Sequence, residues 1–168
     1  MKICVISDSH DNVPNIDTML GYCQQHNINR ILHCGDICVP GVMKHLAEHF
    51  AGHIDAVLGN VHAEIEKMNS MAESLQNFTL HGEQAELKIG GKKIAVNHYP
   101  QEAQKLAESG TYDVIFYGHD HKAWTKQIGT TLLFNPGTLA GLFAKPTFAV
   151  YDTADNTAEL ILVETLVS

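Results

Sequence analysis

The sequence predicts an α/β protein folded as a layered sandwich, with two packed β-sheets and helices outside them. Two observations predict this class. In residues 1–60, short apolar runs alternate with segments of helical periodicity, which is typical of parallel strands joined by helices. In residues 78–163, most apolar runs are separated only by turn residues, which is typical of antiparallel pairs. A chain of 168 residues suffices for one compact domain, and we predict a single domain over 1–168.

Three strands and two helices are predicted in the first part of the chain. Ile16, Met19, Leu20 and Cys23 recur at helical spacing, and Pro14 suits a first helical turn. Apolar runs without alternation indicate strands that are buried on both faces. We therefore predict a parallel sheet. Its strands cover 2–7, 30–33 and 54–58, and its helices cover 14–27 and 41–50.

The second part of the chain predicts shorter elements. Around the Gly90-Gly91 turn, the runs 78–80, 85–89 and 92–96 indicate antiparallel pairing. A helix over 101–109 and a strand over 113–117 follow. The remaining apolar runs predict hairpins through 123–128, 131–134, 147–151 and 159–163.

Composition excludes several classes of protein. The formal charge of −8 argues against a protein that coats nucleic acid, because such binding needs lysine and arginine. The four cysteines come without a secretory signal, which indicates reduced thiols in a cytoplasm. No run reaches the roughly 18 apolar residues of a membrane span. We expect a cytoplasmic protein without a membrane partner, and association into homo-oligomers stays open.

Polar side chains follow five of the predicted strands, at the point where each strand ends. Loops at the carboxyl ends of strands in an open α/β sheet converge on one crevice, so these residues can meet there. Within a segment, residues two apart in an extended loop can face the same side. The residues, in chain order, are Asp8 and His10, then Asp36, Asn60 and His98, then His119 and His121.

The donor types in this set predict a metal site. Carboxylate, imidazole and amide groups suit Mn²⁺ first, with Fe, Zn²⁺, Ni²⁺, Co²⁺ and Mg²⁺ as alternatives, and the set is too rich in nitrogen for a dedicated Ca²⁺ site. Seven ligands exceed the needs of one ion. If one carboxylate bridges, two divalent metal ions could each keep open positions for water and a phosphate oxygen.

Each motif taken alone is unspecific, since Asp-Ser-His, Gly-Asp and Gly-Asn also form turns and helix caps. Their order is specific, and it resembles the calcineurin-like metallophosphoesterases, whose pattern runs Asp-x-His, Gly-Asp, Gly-Asn, a lone His and Gly-His-x-His. The match spans residues 8–121. Residues 6–12, 117–121 and 135–138 resemble the small single-domain prokaryotic phosphodiesterase branch in particular.

The resemblance implies a four-layer α/β/β/α sandwich of two mixed sheets flanked by helices, and hydrolysis of small phosphodiesters, which could be nucleotide-like. It implies that Asp36 bridges two metal ions and that a hydroxide shared between them attacks phosphorus, while Asn60 helps to neutralise the phosphoryl oxygens. The implied ligands of one ion are Asp8, His10, Asp36 and His121. Those of the other are Asp36, Asn60, His98 and His119. Residues 135–138 are expected to shape the pocket from behind the ligands.

Two departures from the family pattern affect the chemistry. Many family members have a histidine directly after Gly-Asn, which assists the leaving group; here that position is Val61, and His62 follows. His62 is therefore a candidate general acid, with a solvated surface histidine as the alternative. His98 also lacks the second histidine that often follows it. The other histidines are taken as structural or solvated, and Trp124 and Phe134 as core, with a nucleobase pocket as the alternative.

Two rival functions remain beside a small-substrate phosphoesterase. The first is a catalytically weak or inactive metal-binding subunit of the same fold that serves protein interaction. The second is a phosphate- or nucleotide-binding α/β module, which is disfavoured because the chain has no glycine-rich phosphate loop such as Gly-x-x-x-x-Gly-Lys.

Overall fold

Two β-sheets pack face to face in the structure, a computed structural model that describes residues 1–166 of the chain. The elements in chain order are β1 (Lys2–Ile6), α1 (Val13–Gln25), β2 (Arg30–His33), α2 (Pro40–His49), β3 (His53–Ala56), α3 (Ile65–Ser74), β4 (Phe78–Leu80), β5 (Gln84–Ile89), β6 (Lys92–Asn97), α4 (Pro100–Glu108), β7 (Val114–Phe116), β8 (Trp124–Ile128), β9 (Thr131–Asn135), β10 (Thr147–Asp152), β11 (Thr157–Leu162) and a 3-10 turn (Val163–Thr165). Within residues 1–166, no helix is both long and apolar enough to cross a membrane.

The first sheet has six strands in the order β11-β10-β1-β2-β3-β4. Strands β1 to β4 run parallel, with Cys4 opposite Ile31 and Ile31 opposite Ile54. The late hairpin β10-β11 returns to this sheet and pairs antiparallel with β1. The first sheet therefore joins the two ends of the described chain.

The second sheet has five strands in the order β5-β6-β7-β9-β8. Strands β6, β7 and β9 are parallel, while β5 and β8 pair antiparallel at the two edges. Both sheets are therefore mixed.

Three apolar layers hold the molecule together, because successive strand residues point to opposite faces. In β1, Ile3 and Val5 face the second sheet, whereas Cys4 and Ile6 pack against α1, α2 and α3. On the far face of the second sheet, Ile115 and its neighbours pack against α4. The order of layers is helix, sheet, sheet, helix, and the predicted four-layer α/β/β/α sandwich is confirmed.

Two local predictions were wrong. Residues 78–80 were expected to pair antiparallel with the strands that follow; instead β4 extends the first sheet in parallel, with Phe78 opposite Ile54 and buried in the helical core. Helix α3 was not predicted; of its ten residues only Met68 and Ala72 are buried, and most of the others are polar.

Candidate metal centre

The carboxyl ends of five strands meet at one edge of the sandwich, and each is followed by a predicted ligand. Strands β1, β2 and β3 lead to Asp8, Asp36 and Asn60, and strands β6 and β7 lead to His98 and His119. Backbone hydrogen bonds tie these loops together: the Asp8 N–H donates to the Gly35 carbonyl at 3.0 Å, and the Gly118 N–H donates to the His98 carbonyl at 3.1 Å. The structure thus brings side chains from both sheets to one edge.

Four side chains form a first cluster, comprising Asp8, His10, Asp36 and His121, in which one ligand atom from each lies within 4.8 Å of the others. His121 Nε2 lies 3.2 Å from Asp8 Oδ1 and 3.3 Å from His10 Nε2. His10 Nε2 lies 3.5 Å from Asp36 Oδ2. A cation at the centre of these atoms would have two oxygen and two nitrogen donors.

A second cluster shares Asp36 with the first. His98 Nε2 lies 3.6 Å from Asp36 Oδ1 and 3.0 Å from Asn60 Oδ1. Asn60 Oδ1 is also 2.9 Å from His119 Nδ1. One carboxylate oxygen of Asp36 therefore faces each cluster, which is the arrangement that a bridging ligand requires.

Backbone carbonyls fix how two of the imidazoles present their nitrogens. A carbonyl can only accept, so His98 Nδ1–H donates to the Cys34 carbonyl at 2.7 Å and His121 Nδ1–H donates to the Leu142 carbonyl at 3.1 Å. In the neutral ring, the Nε2 lone pair of each then points into its cluster. Metal-binding histidines are commonly oriented in this way.

The polar atoms inside the first cluster are not all satisfied by hydrogen bonds to one another, and a cation would compensate their charge. Asp8 Oδ1 is buried and has no hydrogen-bond partner within residues 1–166. Burial raises the pKa of Asp8 above its ordinary value, which marks the ionised carboxylate as short of compensating charge. A divalent cation would supply that charge, so the donor set fits the metal ions that the sequence implies.

The backbone of the ligand loops is strained. Five of the proposed ligands adopt positive φ angles without being glycine; they are Asp8 at 50°, His10 at 36°, Asp36 at 60°, His119 at 72° and His121 at 57°. The left-handed region costs a non-glycine residue roughly 1–2 kcal/mol, and such residues cluster at functional sites where the surroundings hold them. The strain is thus concentrated where the polar side chains converge.

Glycines precede three of the ligands, and close approach to another site residue explains all three. A Cβ on Gly35 would stand 2.5 Å from His98 Nδ1. A Cβ on Gly59 would collide with Asp36 Oδ1 and would stand 2.6 Å from the Asp36 amide nitrogen. A Cβ on Gly118 would collide with Ser7 Oγ and would stand 2.7 Å from Asp8 Oδ2. The glycine of one motif therefore makes room for a side chain of another.

The chain compares with known proteins over nearly its whole length. The family model described as the calcineurin-like phosphoesterase superfamily domain matches residues 1–156. The chain belongs to this superfamily. The resemblance inferred from the ordered motifs is confirmed.

Relatives within the calcineurin-like phosphoesterase superfamily share both sequence and fold with this chain. A phosphodiesterase of Methanocaldococcus jannaschii is 30% identical over 167 residues, which cover 98% of this chain and all of that protein. The phosphodiesterase YfcE of Escherichia coli is 24% identical over 83% of this chain and 80% of its own. The solved structure of an archaeal phosphodiesterase superposes with a TM-score of 0.89 at 27% identity, covering 96% of this chain and 99% of that chain.

Residues 135–138 form hydrogen bonds to the loops that carry the proposed ligands. Asn135 Nδ2 donates to the Gly118 carbonyl, and Thr138 Oγ1 donates to the Asp8 carbonyl, both at 3.1 Å. These bonds restrain the loops on which Asp8 and His119 sit.

His33, which was predicted to be structural or solvated, is buried and supports the site. His33 accepts a hydrogen bond from the Gly35 N–H at Nδ1, so its Nε2–H donates to Ser9 Oγ at 3.0 Å. Ser9 Oγ in turn donates to the Asp36 carbonyl at 3.3 Å. Burial, followed by the nearby His98 and His10, lowers the pKa of His33 to about 3. His33 thus orients the Asp36 loop as a neutral imidazole.

We expect His33 to make the unfolding free energy depend on pH. Its folded pKa of about 3 lies below the ordinary value of 6.5, so its contribution is complete above pH 6.5 and is lost as the pH falls toward 3. Between pH 7 and pH 5 the loss is about 2 kcal/mol. Urea unfolding in the presence of a chelator measures it: His33→Gln should lack this component, whereas the exposed control His49→Gln should retain it. Equal pH dependence in all three proteins would contradict the assignment.

His62, the candidate acid, is exposed and lies two residues after Asn60 in the loop that follows β3. Its Nδ1–H donates to the Ala63 carbonyl at 2.7 Å, and among residues 1–166 its Nε2 has no hydrogen-bond partner. The ring is therefore oriented while Nε2 stays free to contact a ligand.

Phe134 and Trp124, which were both predicted to lie in the core, differ in burial. Phe134 is buried between the sheets, as expected. Trp124 is 46% exposed and lines an open cavity of about 550 Å³ with Tyr117, Asp120 and Lys122. The core assignment of Trp124 was wrong, because β8 is an edge strand whose first four residues are exposed.

Proposed function

We propose that this chain hydrolyses small phosphodiesters with two divalent metal ions, Mn²⁺ first among the candidates. One observation carries the proposal: the two oxygens of Asp36 face two separate groups of donor atoms, at 3.5 Å from His10 Nε2 and 3.6 Å from His98 Nε2. A site for one metal ion does not require a carboxylate between two groups of donor atoms.

The proposed ligands divide between the two clusters. Asp8, His10, Asp36 and His121 would hold one ion, and Asp36, Asn60, His98 and His119 would hold the other. When bound, the ions lower the pKa of water and neutralise negative charge on the phosphoryl oxygens. The protein keeps its donors oriented through the Cys34 and Leu142 carbonyls and through the Val61 N–H, which donates to Asp36 Oδ1 at 2.8 Å.

A diester is favoured over a monoester by charge. Among the ion pairs of residues 1–166, none joins a lysine or arginine to Asp8 or Asp36. A phosphomonoester dianion therefore would not meet a cationic side chain beside these two carboxylates, whereas a diester carries one negative charge. The relatives named above are phosphodiesterases, which agrees with this choice.

His62 is the proposed acid for the leaving group. With Nδ1–H held by the Ala63 carbonyl, a protonated ring would offer Nε2–H to a departing oxygen. The chain as a whole, residues 1–168, would act as a single domain in the cytoplasm.

An inactive interaction subunit is not favoured. All seven proposed ligands are present in the chain, at the edge where the strands end. The relatives found by sequence are also named for an activity.

Removal of metal tests the proposal. Protein treated with a chelator and then freed of it should lose hydrolysis of bis-p-nitrophenyl phosphate, because Asp8, Asp36 and the imidazoles alone cannot neutralise the phosphoryl oxygens. Single metals are then restored one at a time, with Mn²⁺ expected to recover the most activity. Elemental analysis should find about two ions per chain in the active protein. Hydrolysis that persists without metal would refute the proposed function.

A further inference from the structure

An exposed aromatic ring stands beside the metal centre, on the loop between β9 and β10. Phe143 is 93% exposed, and its ring centroid lies 5.5 Å from that of His121. His121 turns Nε2 toward the first cluster, so Phe143 lies against the outer side of a proposed ligand. None of the proposed chemistry uses this ring.

The loop that carries Phe143 is anchored to the ligand loops rather than loose. The Ala140 N–H donates to the Asp8 carbonyl at 3.1 Å, and Asn12 Nδ2 donates to the Ala140 carbonyl at 2.9 Å. The Leu142 carbonyl accepts from His121 at 3.1 Å. At the far end, the Val163 N–H donates to the Pro146 carbonyl at 3.0 Å. Phe143 is thus held in position on both sides.

The backbone at Phe143 is strained. Its φ angle is 63°, in the left-handed region that a bulky residue rarely adopts. A single exposed phenylalanine is ordinary on a protein surface. A phenylalanine that is exposed, has a strained backbone and is anchored against a proposed metal ligand is unusual.

Three further exposed apolar side chains lie on the loops of the site. Val39, Val61 and Leu142 are each exposed, and they lie on loops that also carry Asp36, Asn60 and the anchor of His121. These loops therefore offer apolar contacts to the organic groups of a phosphate bound at the clusters. The exposed ring of Phe143 suits an organic group that is planar and aromatic, because stacked or edge-to-face contact between aromatic rings is stabilising.

We propose that Phe143 binds the ester group that stays on phosphorus when that group is planar and aromatic, so that the enzyme prefers phosphodiesters with an aryl or nucleobase-bearing group at this position to those with an alkyl group. This inference rests on the proposed function and makes its substrate class narrower. Phe143 is a specificity-determining residue, because its ring would contact the ester group and not the reacting atoms.

Kinetics with two esters that share a leaving group test the preference. The substrates are p-nitrophenyl phenyl phosphate and p-nitrophenyl ethyl phosphate, and the variant is Phe143→Asn, since asparagine tolerates the left-handed backbone. The variant should raise KM for the phenyl ester about fivefold and leave kcat and the ethyl ester unchanged. Phe143→Trp should keep the preference, and the exposed control Leu160→Asn should leave it intact. Equal changes for both esters would indicate a structural role and overturn the proposal, as would a preference abolished by Trp124→Ala instead.

A binding measurement separates this proposal from the proposed function. Calorimetry on Mn²⁺-saturated protein compares methyl(phenyl)phosphinate with ethyl(methyl)phosphinate, which each carry one negative charge and have no ester bond to hydrolyse. Wild-type protein should bind the phenyl compound about fivefold more tightly, and Phe143→Asn should bind both alike. Equal affinities in the wild type, or no binding of either, overturn the role of Phe143. A Phe143-dependent preference in a protein that hydrolyses neither ester would sustain the binding role and refute the phosphodiesterase.

Discussion

Asp36→Asn is expected to lower kcat by roughly three orders of magnitude, the scale of losing a central electrostatic contact in a transition state. The amide has nearly the same size, so packing survives. It removes the negative charge and turns one oxygen into an N–H₂ group, which cannot bind a cation. Because Asp36 faces both donor groups, the change should also reduce the number of ions that elemental analysis finds.

Two comparisons make the Asp36 result specific. Asp17→Asn alters an exposed carboxylate on α1 that pairs with His45, and it should leave kcat and metal content unchanged. His62→Ala should retain both ions and lose turnover chiefly with esters of poor leaving groups, as expected for an acid that protonates the departing oxygen. An Asp36→Asn protein with wild-type turnover would eliminate the bridging role.

Gly59→Ala should lower kcat about a hundredfold, the scale associated with a misplacement of 1 Å in an active site. The new methyl group would collide with Asp36 Oδ1, so the carboxylate must leave its present position 3.6 Å from His98 Nε2. The Val61 N–H would lose its acceptor at the same time. Neither ligand nor charge is removed, so the loss would come from geometry alone.

Gly21→Ala provides the matched control for this substitution. Gly21 lies inside α1, and beyond the neighbouring backbone of that helix nothing in residues 1–166 stands within 4 Å of a Cβ added there. Alanine favours a helix interior by about 0.5–1 kcal/mol, so this variant should unfold at higher urea concentration with unchanged kcat. If Gly59→Ala behaved in the same way, the tight approach of Asp36 to Gly59 would have no catalytic importance.

The strand ends were predictable because each has a local signal. A buried strand is an unbroken apolar run, and the polar residue after it marks where the chain leaves the core. Asp8, Asp36, Asn60, His98 and His119 all stand at such points, and parallel strands bring such points to one edge. The layered fold and the meeting of these side chains therefore follow from pattern and topology.

Other features depend on contacts that no local pattern contains. Strand β4 has three residues, too few to reveal whether Phe78 pairs with β3 or with β5. The sequence shows His33 only as one histidine among many, since its burial arises from packing between distant strands. An exposed ring such as Phe143 resembles any solvated loop residue until its backbone angle and its neighbour His121 are known.

The left-handed backbone at the ligand positions restricts which mutations a population of such proteins can accumulate. A substitution at His10 or His121 must satisfy the chain conformation as well as the cation, and β-branched residues fail the first condition. Asparagine and aspartate satisfy it best, and both still offer an oxygen. Sequence drift at these positions should therefore run toward oxygen donors, which would change the preferred ion before it abolished binding.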